Sequence, residues 1–435
     1  MADEISAKRP KMTGESTTTC AHWVERKKRY CKMTVNKGSE FCGAHAPANK
    51  SSEIENSDAE RIPCPLDPNH TVFKRKLEKH LSICNAREQQ STLPYIEKGI
   101  NAGDALLPED EVALADYQKL KLHELEDSEF YGVIDKVNRL YTEHIENTID
   151  ELQLQHKSLE RELKIEDYGQ ESRKHLIQTA ALLGILEHDK QLASNTSFIE
   201  FGAGKGQLAY YLASVLESMQ LGNSQVVLLD RLSLRHKKDN KVANKELVQR
   251  IRADIADFKM SQLPELHRTQ HNVALSKHLC GAATDLTLRC VLGKEATNTD
   301  YILIALCCHH RCEWRSYVGK QWLQTTGITP REFVIITKMV SWAVCGTGLS
   351  RERRKAMAED KTRAEQEDTE EQQQPSQRLS REQREEIGYK CKRVLDHGRL
   401  KYLQQHGYNA ALKFYVPRDV TLENVVLLAR QKDNS

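Results

Sequence analysis

Ile199-Glu200-Phe201-Gly202-Ala203-Gly204-Lys205-Gly206 runs from an apolar strand into three alternate glycines, and QLAYYLASVLESM behind it has the length and texture of a helix. Glycine at such a turn lets the backbone reverse tightly and come close to a ligand. A dinucleotide fingerprint would need a further glycine where this chain carries Gln207, so that reading fails on spacing. Outward from the turn the texture is repetitive. SFIEF, QVVLLD, NVALS and YILIAL are short apolar runs separated by helix-length segments, the alternation that predicts a parallel sheet covered by helices. ALKFYVP and NVVLLAR follow as two final strand candidates. The fold class expected is therefore α/β, over 171–435.

The chain has 435 residues, with 64 Lys+Arg against 62 Asp+Glu, a net charge of +2. That length suits two or three units, and the charge balance excludes a global polyanion binder; any such site must be a local patch. No apolar run approaches the ~18 residues of a membrane span, and MADEISAKRPKM is no secretory signal, so a soluble intracellular protein of nucleus or cytoplasm is expected. Lys8-Arg9-Pro10-Lys11 is a meagre nuclear signal. Residues 1–19 read as a polar tail. Residues 105–170 read as a helical segment, with Ile134, Val137, Tyr141, Ile145, Ile149 and Leu152 marking one face of a helix from about 110 to 165. The acidic, Gln-rich stretch 351–386 reads as a solvated insertion, followed by a short helix at Cys391–Gln405.

Twelve cysteines fall unevenly: five before residue 85, none from 85 to 279, seven from 280 onward. Cys20, Cys31, Cys42 and His45 (20–47) form C-x10-C-x10-C-x2-H. Cys64, His70, His80 and Cys84 (61–87) form C-x5-H-x9-H-x3-C. Two sets of four soft donors, in segments too short for a core of their own, predict two structural zinc ions; four protein ligands leave no open position. Arg26–Arg29 with Lys32, and Lys74–Lys76 with Lys79, cluster beside them, with Trp23 and Tyr30 available for stacking on nucleic acid.

Two further clusters stand at the carboxyl ends of the fourth and fifth strands, where open α/β sheets bind ligands: Ser276-Lys277-His278-Leu279-Cys280-Gly281 and Cys307-Cys308-His309-His310-Arg311-Cys312. The second could be a third metal site, a redox pair or a Cys–His nucleophile. The simplest reading is a substrate pocket that uses His and Lys.

Alternate glycines preceded by an acid resemble the loop of S-adenosylmethionine (SAM)-dependent methyltransferases, whose sheets also close with an antiparallel pair. That resemblance implies cofactor contacts from Glu200, Gly202, Gly204 and Gly206, with Asp230 on the ribose diol and Asp254 on the adenine amine. The order of both fingers, PYIEKGINAG, IEFGAGKGQLA, SKHLCGAATDL, ALCCHHRCEW and KMVSWAVCG resembles the eukaryotic tRNA 2′-O-methyltransferases that modify nucleotide 4 of the acceptor stem, over most of 20–435. The resemblance implies SAM as donor, tRNA as partner and a ribose hydroxyl as acceptor. Lys277 or His278 is then expected to orient or deprotonate that hydroxyl, with His309 in reserve. Two rival classes are a non-catalytic zinc-finger RNA-binding or splicing protein, and a methyltransferase acting on protein or a small molecule.

Overall fold

A computed structural model describes residues 20–24, 29–30, 35, 40–42, 61–84, 93–165, 167–232, 234, 237–293, 299–343 and 379–432. The chain divides into two compact units, 1–90 and 91–435. The first holds two small antiparallel pairs. One is β1 (Trp23–Val24) with β2 (Arg29–Tyr30); the other is β3 (Arg61–Cys64) with β4 (Asp67–Phe73), followed by α1 (Leu77–Ile83).

The second unit is built on an eight-stranded sheet. Its strands are β5 (Asp150–Glu151), β6 (Thr196–Phe201), β7 (Gln225–Leu229), β8 (Val248–Ile251), β9 (His271–Cys280), β10 (Tyr301–Cys307), β11 (Tyr408–Phe414) and β12 (Val425–Gln431). They lie in the order β5-β11-β12-β10-β9-β6-β7-β8. β8, β7, β6, β9 and β10 are mutually parallel, while β12 is antiparallel to both β10 and β11. This is the expected mostly parallel sheet with an antiparallel closing pair. The order reverses between β6 and β9, so the crevice for a ligand falls at their carboxyl ends.

The central strands are mostly apolar because both their faces are covered. Phe198, Val226, Leu228, Val273, Leu275, Leu303 and Ala305 enter one core, with α5 (Gln170–His188) and α6 (Gln207–Ser218). Their strand neighbours Ile199, Phe201, Val227, Leu229, Ala274, Ile302 and Ile304 enter the core opposite, with α7 (Ala282–Leu292). That period of two is what puts helices on both faces.

The helical stretch expected at 110–165 is not one helix. It breaks into α2 (Pro108–Lys119), α3 (Asp127–His144) and the single turn α4 (Glu160–Leu163), with β5 between the last two. α3 ends at His144 with Ile145 as its C-cap, and Asn147 takes a left-handed φ of 61°, a conformation asparagine tolerates better than most residues. β5 then pairs with β11, so this segment joins the main sheet. Ile134 and Val137 do mark the buried face of α3, which packs on α9 (Pro330–Met339) and α10 (Arg381–Gln405); α8 (Lys320–Thr325) adds Leu323 to the same core.

The stretch expected to be an insertion differs at its end. Residues 381–386 are the first turns of α10, started by a capping box in which Ser380 and Gln383 satisfy each other's backbone amides. The helix is thus 25 residues long rather than the short Cys391–Gln405. Residues 1–19 and 344–378 lie outside the described residues.

Candidate cofactor cleft and metal centres

In the first unit, Cys64 Sγ stands 3.7 Å from Cys84 Sγ and 3.1 Å from His80 Nε2. A tetrahedral zinc with bonds of ~2.3 Å to sulfur has S···S edges near ~3.8 Å, so the three donors fit one ion. Cys64 comes from β3; His80 and Cys84 come from α1 and its C-cap, four residues apart on one face. His70 is on β4, its side chain outside the described part. Cys20 and Cys42 are buried together against Val35 and Phe41, while Cys31 and His45 lie outside the described residues.

In the second unit the glycine turn joins β6 to α6. Gly202, Gly204 and Gly206 have φ of 63°, 53° and 68°, all left-handed. A Cβ on Gly202 would lie 2.9 Å from Leu279 Cδ2 and 3.2 Å from the His278 carbonyl oxygen, so turn and β9 are in contact there. A Cβ on Gly206 would run into the carboxylate of Asp239, which is ion-paired with Arg250 at 2.8 Å. Gly206 is the N-cap of α6 and has no side chain to offer. Glu200 replaces it: its buried carboxylate accepts from the Ala209 amide at 3.0 Å.

Asp230 follows β7 and accepts from the Gly204 amide at 2.7 Å through Oδ2 and from the Leu232 amide at 2.8 Å through Oδ1. Each oxygen keeps a second lone pair for a diol. Asp254, after β8, caps a short 3₁₀ turn through the Ala256 amide at 3.0 Å. A concave backbone with three left-handed glycines, and a carboxylate at the end of the next strand, fits an adenosyl ligand.

Lys277 and His278 lie on β9 beyond its last pair with β6, where the β9–β10 register shifts between the Ser276 and Leu279 pairs. Lys277 Nζ donates to Gln207 Oε1 at 2.7 Å and Thr179 Oγ1 at 3.2 Å, tying β9 to α6 and α5. Burial pulls its ammonium below the ordinary lysine range and pushes Glu200 above the carboxylate range; each group opposes the other's shift by opposite charge. His278 is an exposed residue, its ring 5.6 Å from that of His175 in an edge-on arrangement. Desolvation, then the Lys277 charge and His175, favours its neutral form.

His309 does not join Lys277 and His278. It is fully buried, with Nε2 2.5 Å from Asp396 Oδ1 on α10. The residues the sequence did not single out are His175, Thr179 and Gln207. Gln207 sat in view as the residue that broke the dinucleotide spacing; the two on α5 carried no local signal, because only tertiary packing brings α5 beside β9.

A family model described as "Methyltransferase TRM13" matches residues 177–430, "CCCH zinc finger in TRM13 protein" matches 18–46, and "U11-48K-like CHHC zinc finger" matches 61–85. The mouse protein named "tRNA:m(4)X modification enzyme TRM13 homolog" is 35% identical over 464 residues, covering 94% of each chain. The Saccharomyces cerevisiae protein "tRNA:m(4)X modification enzyme TRM13" is 30% identical and covers 95% of this chain and 96% of its own. Among solved structures, the plantazolicin methyltransferase BpumL bound to a substrate analogue and SAH covers 75% of this chain and all of its own, at 11% identity and a TM-score of 0.29. So loose a superposition says nothing about chemistry.

Proposed function

Since the chain belongs to the TRM13 methyltransferase family, we propose that it transfers a methyl group from SAM to the ribose 2′-hydroxyl of nucleotide 4 in a tRNA acceptor stem. The observation that carries this reading is the near full-length likeness, fingers included, to relatives named as tRNA:m(4)X modification enzymes. The contact between the glycine turn and the Lys277-His278 segment supports it, because donor and acceptor sites must adjoin.

Bound SAM supplies an electrophilic methyl on sulfur. The residues Gly202, Gly204 and Gly206 would let the backbone close on it, and Asp230 would hold its ribose diol. A ribose hydroxyl is a weak nucleophile near neutral pH and needs both alignment and help with its proton. Lys277 Nζ takes that proton; burial lowers its affinity for the proton it already carries, a fall that Glu200 opposes. Gln207 and Thr179 fix the amine's direction. His278, at the exposed rim, orients the ribose. The fingers hold the acceptor by Lys/Arg contacts to phosphate, which steer binding without reading sequence.

Nucleoside mass spectrometry of tRNA treated with the enzyme and labelled SAM tests this. A 2′-O-methylated nucleoside from the acceptor stem is expected; a base-methylated one refutes the ribose assignment. A His278→Ala enzyme that binds tRNA and SAM yet keeps full turnover removes His278 from the site.

A further inference from the structure

We propose that Cys280, Cys307 and Cys308 form a third metal site, holding a thiophilic divalent cation of the zinc class at the edge of the sheet. The three Sγ atoms lie within 4.8 Å of one another, and among the described residues no fourth Cys, His, Asp or Glu joins the group. Cys280 and Cys307 are partners in the parallel β9–β10 ladder, so their side chains leave the same face of the sheet. Cys308 is the next residue along, and in extended backbone its thiol would point to the opposite face. It does not, because Cys308 turns into the left-handed region at φ 51°, ψ 37°. That conformation is disfavoured for any residue with a Cβ, and here its effect is to bring the neighbouring thiol round to the other two.

A second contact brings the strands' exits together. Gly281 has a φ of 58°, and a Cβ there would run into the backbone of Arg311, so the turns after β9 and β10 are pressed face to face. Contraction of the thiols from within 4.8 Å to the ~3.8 Å edges of a tetrahedral site needs only small side-chain rotations. Cys280 is exposed and Cys307 buried, so the ion would sit half in the protein with its remaining position facing solvent. Three thiolates with an open fourth place are the arrangement of a reactive metal rather than a structural staple. Binding converts three thiols to thiolates and releases their protons to solvent. This site differs from the finger sites in unit, spacing and ligand set, and it does not depend on the identity of the methyl acceptor.

The test is metal uptake by the full chain, reduced, stripped and reloaded with zinc or cobalt. Wild type is expected to take up one equivalent more than Cys280→Ser, and Cys308→Ser is expected to lose the same equivalent. Cobalt-loaded wild type should show thiolate-to-cobalt absorption that exceeds that of either variant. Both substitutions are isosteric, and neither thiol is fully buried, so the fold is kept; circular dichroism verifies it. Equal uptake by wild type and both variants overturns the site. So does a Cys280–Cys308 disulfide found in protein kept under reductant.

Discussion

Replacing Glu200 with Gln asks whether Lys277 is the proton acceptor. The substitution keeps the volume and an oxygen for the Ala209 amide, so the start of α6 is preserved. What it removes is the buried negative charge that opposes the fall in Lys277 basicity. An opposite charge within ~4–6 Å is worth ~1–3 pKa units, or about 1.4–4 kcal/mol between protonation states. Without it, Lys277 loses its proton that much more easily. The acid limb of the kcat/KM profile should therefore move to lower pH by ~1–3 units, with the alkaline plateau reduced because the amine is a weaker base. The assay is methyl transfer from labelled SAM to tRNA, from mildly acidic to alkaline pH. Lys277→Arg is the companion: it keeps a cation that does not deprotonate, and kcat should fall ~10²–10⁴-fold. An unmoved acid limb in Glu200→Gln, or full turnover in Lys277→Arg, refutes the proton-acceptor role. Stability gives an independent reading. The Glu200 carboxyl is raised above its ordinary 4.5, so the folded state keeps a proton that the unfolded chain has lost. Its contribution is complete below 4.5 and is lost as pH climbs through the raised value, a decline the Gln variant should lack.

Gly202→Ala puts a Cβ at a left-handed position and against Leu279, which should cost ~1–2 kcal/mol and weaken SAH binding by calorimetry; unchanged affinity would remove the turn from the cofactor cleft. Asp396→Ala strips His309, Arg393 and Arg399 of their shared acid and should lower unfolding free energy in urea by ~3–5 kcal/mol. A loss within the scatter of surface substitutions would mean those charges are solvated in some other way. Cys84→Ser should release the second finger's ion, weaken tRNA binding and flatten its salt dependence while SAM still binds the other unit. Unchanged tRNA affinity would assign the finger to another partner.

The sheet was legible because its central strands are buried on both faces and so read as short, mostly apolar runs, from SFIEF to YILIAL. The glycine turn was legible because left-handed backbone at three positions leaves glycine as the natural residue. The helical segment misled for a definite reason. Its apolar stripe is real on α3, but it continues by coincidence of spacing through Ile149 and Leu152, which flank β5 on either side. Asn147 was the available stop signal. The start of α10 was signalled too, by Ser380 and Gln383, but composition outweighed a capping box in a run so poor in apolar residues. His309 was misplaced because a strand's carboxyl end gives position along the sheet and not which way the following turn folds. With Cys308 left-handed, the chain doubles back and His309 drops inward to α10.

That inward fold explains a set of charges that would otherwise be hard to bury. Asp396, Arg399 and Asp285 are all essentially inaccessible, as is Arg393. Arg399 donates to both oxygens of Asp285, at 3.1 and 2.7 Å, and to Cys312 Sγ at 3.0 Å; Arg393 and His309 meet Asp396. Two carboxylates against two guanidiniums already balance, so a proton on His309 would add an unmatched charge where desolvation is most costly. Burial accordingly lowers the His309 pKa in spite of Asp396, and Asp396 is held down to about 2 although burial opposes it, by the charges of Arg393 and Arg399 and the hydrogen bond from His309. His309 is thus a neutral strut. It ties the turn after β10 to α10, while Arg399 ties α10 to Asp285 on α7, the helix that begins just after Cys280. The two turns that carry the three thiols are therefore braced from behind by one neutral cluster. The left-handed strain at Cys308 is sustained by this bracing, and loosening it at Asp396 should disturb the thiol edge as well as the global stability.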